Sequence, residues 1–196
     1  MLIRGTELLH TPILSLQTGS ELAQSSDYVI DPASLAVLAF TLEGPRLTED
    51  PSLLRVQDIR EISSLGFIVD SSDEFISKGF VIKIHKIMDT GFNPYNMRVL
   101  DTEKQYVGRI SDLVIDTNTF LIEQLVVKQP ILRRINTTEI VIGRKQIRKI
   151  SNDYIIVESP TVKEESSALI NPLKILTAPF RKSESPKPVT SPKEMS

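Results

Sequence analysis

The sequence predicts a mainly β protein: two small β-barrels from an internal duplication, joined by a short helical connector and followed by a disordered C-terminal tail. Three observations lead there. First, Ser26-Asp27-Tyr28-Val29-Ile30-Asp31 returns 85 residues later as Ser111-Asp112-Leu113-Val114-Ile115-Asp116, with Tyr28 for Leu113 the one difference. Second, Asp58-Ile59-Arg60-Glu61-Ile62-Ser63 returns as Gln146-Ile147-Arg148-Lys149-Ile150-Ser151, and Phe67 to Ser71 returns as Ile155 to Ser159, both now at an offset of 88. Two blocks separated by a three-residue loop difference are the mark of a duplicated domain. Third, turn chemistry recurs every ~8–12 residues with no long helical period between, the signature of a small barrel or sandwich. The expected domains are 1–71 and 96–159, with a connector at 72–95 and a tail at 160–196.

In the first copy, Thr11 to Leu16 is a strand and Gln17-Thr18-Gly19-Ser20 a hairpin turn, its glycine free to take positive φ. Leu22 to Ile30 is a longer strand, closed by Asp31-Pro32-Ala33-Ser34. Proline at the second turn position pre-sets φ near −65° and suits a type I turn. Leu35 to Leu42 returns, and three short strands follow around 54–56, 59–62 and 65–69. The connector carries Ser71 to Glu74 as a helix cap with acidic residues in the right place. Val81, Ile84, Ile87 and Met88 then fall on one helical face, and Asp89-Thr90-Gly91 is the stop. In the second copy the strands run 99–101, 106–115, 120–127, 140–142, 147–150 and 154–157, with Asp116 to Thr119 as the matching turn and the lengthened loop at 128–138.

Composition narrows the function classes. The chain has 196 residues, 40% hydrophobic and 24% charged, with no cysteine, which removes disulfides and thiolate chemistry together. No apolar run approaches the ~18 residues that span a bilayer. The N-terminal residues lack a signal-peptide layout, so a cytoplasmic location is expected. The net charge of −2 is unevenly placed: 1–78 hold five basic and twelve acidic side chains, whereas 79–159 hold twelve and nine. The two copies share a core pattern and differ in surface, so a basic second copy facing an anionic partner is one reading.

The repeated pattern resembles the PRC-barrel domain, a small six-stranded barrel named after the cytoplasmic domain of the photosynthetic reaction-centre H subunit. The second copy carries it best, in Val99-Leu100-Asp101, Tyr106-Val107-Gly108-Arg109-Ile110 and Asp112-Leu113-Val114-Ile115-Asp116. In the first copy Ala23 stands at the position of the strand glycine. The C-terminal domain of the ribosome maturation factor is similar to a barrel of this kind. The resemblance implies a non-enzymatic module that binds other proteins or ribonucleoprotein; its motif positions are core and turn residues, silent on chemistry.

Asp27, Asp31, Asp112 and Asp116 are the carboxylates that invite a catalytic or metal reading. Within each copy the pair lies four residues apart on a strand, about 13 Å at ~3.3 Å per residue, too far for a dyad or shared metal. Each instead suits a strand and the corner that ends it. His10 and His85 have no companion at metal-ligand spacing, and neither a phosphate loop nor a nucleophile elbow occurs. No catalytic residue, metal site or cofactor is expected. Two other features remain. Arg133, Arg134, Arg144, Lys145, Arg148 and Lys149 form a basic cluster where the first copy has Gln57, Asp58, Arg60 and Glu61, a candidate contact for an anionic partner. In the tail, which holds six of the twelve prolines, an apolar island at 168–182 includes Leu173, Ile175, Leu176 and Phe180, followed by Arg181 and Lys182. It reads first as a clip on a barrel, and otherwise as a linear motif for a partner or a contact with a membrane surface. The leading expectation is a cytoplasmic adaptor that binds protein partners through its barrel surfaces and tail. The alternatives are a ribosome- or RNA-associated assembly factor using the basic face, and a peripheral membrane-associated accessory protein. Scarce aromatics in the second copy disfavour sequence-specific RNA reading.

Overall fold

The strands follow the turn signals. In the computed structural model, which describes residues 1–130 and 139–158, they are β1 (Leu2–Arg4), β2 (Pro12–Ser15), β3 (Glu21–Asp31), β4 (Ala36–Glu43), β5 (Ser52–Arg55), β6 (Glu61–Ser63), β7 (Gly66–Val69) and β8 (Phe75–Ser77), then the helix α1 (Ile82–Thr90), then β9 (Arg98–Asp101), β10 (Tyr106–Asp116), β11 (Leu121–Lys128), β12 (Glu139–Gly143), β13 (Ile147–Ile150) and β14 (Tyr154–Val157). Short 3-10 turns occupy Gly5–Leu8, Val56–Asp58, Ser72–Glu74 and Arg144–Gln146. The protein is mainly β with one helix among the described residues.

The two halves are wired alike. β2 to β5 form an antiparallel meander, β6 hairpins with β7, and β7 runs parallel beside β2. β9 to β12, β13 and β14 repeat that pattern strand for strand. Register repeats as well: Ile13 faces Ala23 and Phe67, and Val99 faces Gly108 and Ile155. The hexapeptide that recurs in the sequence explains why. The ladder slips between Ser25 and Asp27 in β3 and between Ile110 and Asp112 in β10, so Ser26 and Ser111 are bulged residues at matching places. A bulge bends a strand and increases its twist, which lets one long strand serve β2 or β9 at one end and the hairpin partner along the rest.

Among the described residues, however, the strands do not close into barrels. All of these strands belong to one 14-stranded sheet running from β13 through β14, β9, β10, β11, β4, β3, β2 and β7 to β6, with β1, β5, β8 and β12 branching from it. Closure would need β5 on β6 and β12 on β13. The chain passes between each of those pairs through a 3-10 turn, and β5 gives its other edge to β8. The halves join where the tips of their long hairpins meet. Ala36 pairs with Leu121, Val37 N–H donates to Phe120 O at 2.9 Å, and Ile122 N–H donates to Leu35 O at 2.9 Å. Each partner lies 85 positions from its counterpart, so the contact has a local twofold. Leu35 and Phe120 hold φ of 48° and 54°, the left-handed corner of the two equivalent turns. One buried cluster runs from Leu8 to Val157 through Phe40 and Phe120, whose rings are 6.3 Å apart.

The connector is more β than the sequence suggests. Ser71 does cap, accepting from Asp73 N–H at 3.1 Å, but it caps the short 3-10 turn. Phe75-Ile76-Ser77 then pairs with β5, its extended preference satisfied by an open strand edge. Helix α1 begins only at Ile82. Its predicted face is the one that packs: Ile84, with Val81, Ile87 and Met88, covers Val29, Ala39, Leu53 and Ile76. Gly91 at φ 62° ends it, a left-handed cap that glycine takes without strain. β1, unheralded in the sequence, pairs with β10.

Candidate functional site

The four aspartates are held in structural hydrogen bonds. Asp31 accepts from Ala33 N–H and Ser34 Oγ, both at 3.0 Å, and Asp116 accepts from Asn118 N–H at 3.2 Å and Thr119 Oγ1 at 3.3 Å. These are equivalent side-chain turns. Each also receives a cation: Lys83 Nζ at 2.9 Å on Asp31 and the Met1 ammonium at 2.9 Å on Asp116. Burial opposes ionisation of Asp31, but the Lys83 hydrogen bond, with those from Ala33 and Ser34, outweighs it and holds the carboxyl below its ordinary value. The Met1 ammonium and the Asn118 amide do the same for Asp116. Asp27 is exposed and accepts from Tyr28 N–H, whereas Asp112 is buried and accepts from Thr6 N–H at 3.2 Å, Thr6 Oγ1 at 2.9 Å and Leu113 N–H at 2.8 Å, with Arg4 at 3.5 Å.

Asp112 opens onto a buried polar junction that sequence reasoning missed. Tyr28 donates its hydroxyl proton to Gly5 O and stacks on Tyr95 at 6.1 Å. A Cβ at Gly5 would clash with the Tyr95 hydroxyl and lie 3.3 Å from that of Tyr28, so a side chain there would displace Tyr95 from the junction. The Tyr95 hydroxyl is buried without a hydrogen-bond partner among the described residues. Burial, reinforced by neighbouring aspartate charge, pushes both phenols far above their ordinary pKa; both stay neutral, Tyr28 as a donor and Tyr95 as packing surface. The signal was present in the hexapeptide: Tyr28 is the one residue that differs from its echo, Leu113, and it is the residue that builds the junction.

The basic cluster divides on inspection. Arg133 and Arg134 lie outside the described residues. Arg144 is a strut: its guanidinium donates to Ile122 O at 3.0 Å and to Ser34 O, tying the first half's turn to β11. Arg148 pairs with Glu158 just beyond the end of β14, as Arg60 pairs with Asp70 at 2.6 Å just beyond β7 in the first half. Lys145 and Lys149 are exposed and form no ion pair among the described residues. Their counterparts are Gln57 and Glu61. An open groove of about 380 Å3 lies here, lined by Pro32 to Leu35 from the turn and by Arg144, Arg148 and Lys149 from the β13 side. β13 pairs only with β14 among the described residues, so its outer edge borders this groove.

The remaining candidates do not join it. His10 sits at φ 56° before β2, its amide donating to Ser25 O at 2.7 Å, and His85 faces Asp89 at 3.3 Å on the exposed side of α1. Leu173, Ile175, Leu176, Phe180, Arg181 and Lys182 lie outside the described residues, as does the whole 168–182 island. No helix among the described residues is long and apolar enough to cross a membrane.

The second half is a six-strand unit with a bulged long strand, β10, that carries Gly108, and with its first and last strands, β9 and β14, paired in parallel. Residues 87–163 match the PRC-barrel domain family, and the chain carries a PRC-barrel domain over that stretch. No curated protein matches the chain.

Proposed function

We propose that the chain is a non-enzymatic adaptor built from two copies of one PRC-type unit, and that it binds an acidic segment of a protein partner in the groove beside β13. The matched strand order, register and bulge positions of the two halves support the duplication. The observation that carries the binding role is the placement of Lys145 and Lys149. Both are exposed cations without ion pairs among the described residues, Lys149 lines the groove and Lys145 follows its Arg144 wall in the chain, and they stand where the first half has Gln57 and Glu61. Cations placed this way speed encounter with an acidic partner and set its register. The aspartates support the non-enzymatic reading because each is already engaged in a turn, cap or backbone contact. An aqueous, cytoplasmic setting fits this role.

The test is a titration of a fluorescein-labelled glutamate-rich peptide against the full chain at low and high salt. The reading expects binding that weakens with salt, and at least tenfold weaker binding in the double variant Lys145→Glu, Lys149→Glu. Lys86→Glu, on the exposed face of α1, should leave binding unchanged. Tighter binding of an RNA oligonucleotide of equal charge would favour the ribosome-associated reading, and no binding of either at low salt would end both.

A further inference from the structure

We infer that the two halves are an obligate pair, because each is completed by the segment that leads into the other. Residues 1–8 run into β2, the first strand of the first half, where Ser25 Oγ donates to Leu8 O at 2.6 Å, yet Leu2 to Arg4 and Thr6 engage the second. β1 pairs Leu2 with Asp116, Ile3 with Ile115 and Arg4 with Val114. Thr6 then closes on Asp112 through its amide at 3.2 Å and its hydroxyl at 2.9 Å. The converse holds for α1 and the residues after it. They run into β9, the first strand of the second half, yet Ile84 packs on Val29, Ala39 and Leu53 of the first, and Tyr95 stacks on Tyr28 at 6.1 Å.

The exchange extends to charge. Asp31 and Asp116 end the equivalent long strands, and each is neutralised from the other half's leader: Asp31 by Lys83 at 2.9 Å and Asp116 by the Met1 ammonium at 2.9 Å. Tyr28 ties the two leaders together, donating to Gly5 of one while stacking on Tyr95 of the other. Such a reciprocal contact is an isologous interface of the kind found between subunits, here within one chain. A half separated from its partner would keep its own strands and lose its covering segment, its turn cation and the β4–β11 bridge at once. The partner that this surface fits is therefore the other half, and the covalent link between them is not what holds them together.

The link is testable at the loop between β8 and α1, where a side chain on Gly79 would meet open space and Phe80 is 71% exposed. A protease site inserted between Gly79 and Phe80 of the full chain is cut after folding. The inference expects both pieces to elute together at the volume of the uncut protein. In urea they should unfold in one transition whose midpoint rises when protein concentration is raised tenfold, because unfolding now separates two molecules. Separate elution of two β-rich pieces would overturn it, as would a midpoint independent of concentration. Should the insertion prevent folding, Thr6→Ala in the unaltered sequence gives the answer by hydrogen exchange. The inference expects protection lost equally in β3–β4 and β10–β11, and loss confined to β10–β11 overturns it.

Discussion

Replacing Gly108 by alanine should be among the most damaging single changes in the second half. A Cβ at this position would clash with the Lys128 carbonyl oxygen, 3.0 Å from its carbon and 2.8 Å from Val127 Cγ1. Both neighbours belong to β11, which pairs with β10 through Arg109 and Lys128; the Lys128 carbonyl is ladder backbone and the Val127 side chain is fully buried, so neither swings aside. Forced overpacking of this kind costs about 2–3 kcal/mol, or a fall of roughly 5–10 °C in melting temperature for a domain of this size. The first half shows how the same site accepts a side chain. Ala23 occupies the equivalent place, and glycine has moved to the facing strand end at Gly44, whose own Cβ would sit 3.2 Å from Ala23 Cα. Ala23→Gly should therefore cost only about 0.5–1 kcal/mol, the ordinary entropy of an added glycine. Urea unfolding followed by far-ultraviolet circular dichroism measures both. A Gly108→Ala protein within about 0.5 kcal/mol of the parent would refute the close-approach argument.

Other consequences are as specific. Arg144→Met should destabilise the protein by about 1–3 kcal/mol, since two buried-side carbonyls lose their donor, while Lys149→Glu should leave the urea midpoint within about 0.5 kcal/mol and act on binding alone. Tyr28→Phe keeps the stacking on Tyr95 but strands Gly5 O, and a loss of about 1–2 kcal/mol is expected by the same measurement. Asp31 has a folded pKa below its unfolded value of about 3.9. Its contribution is therefore fully present above that value and is lost as pH falls through the folded one. Lys83→Met should cost about 0.5–1 kcal/mol at pH 7 and converge on the parent curve in acid; a constant difference across pH 2–7 would contradict the pairing.

Strands were legible in the sequence because their evidence is local. Turn residues such as Asp31-Pro32 and Gly19 mark the corners, and alternation marks the faces. The repeat then fixed register between distant segments, since Ser26 and Ser111 bulge at the same step. Closure was not legible, because it depends on whether β5 and β12 find a partner edge. Phe75-Ile76-Ser77 took the edge of β5 from within a stretch whose spacing also suits a helix. The basic cluster showed only its charges. A sequence does not tell that Arg144 spends its donors on Ser34 and Ile122 carbonyls, or that Arg148 repeats the Arg60 pair, so six candidate cations shrink to Lys145 and Lys149 among the described ones. The exchange of leading segments was invisible for the same reason: β1 and α1 have no counterparts in the repeat, and their destinations are set by packing over long range.

The claim on which the rest stands is that two similar halves form one cooperative unit. Scanning calorimetry of the full chain tests it most directly. One endotherm with calorimetric and van't Hoff enthalpies equal is expected, because neither half retains its covering segment or its turn cation once the other opens. Two resolved endotherms, or a calorimetric enthalpy near twice the van't Hoff value, would mean that the halves unfold independently and that the contacts between them contribute little.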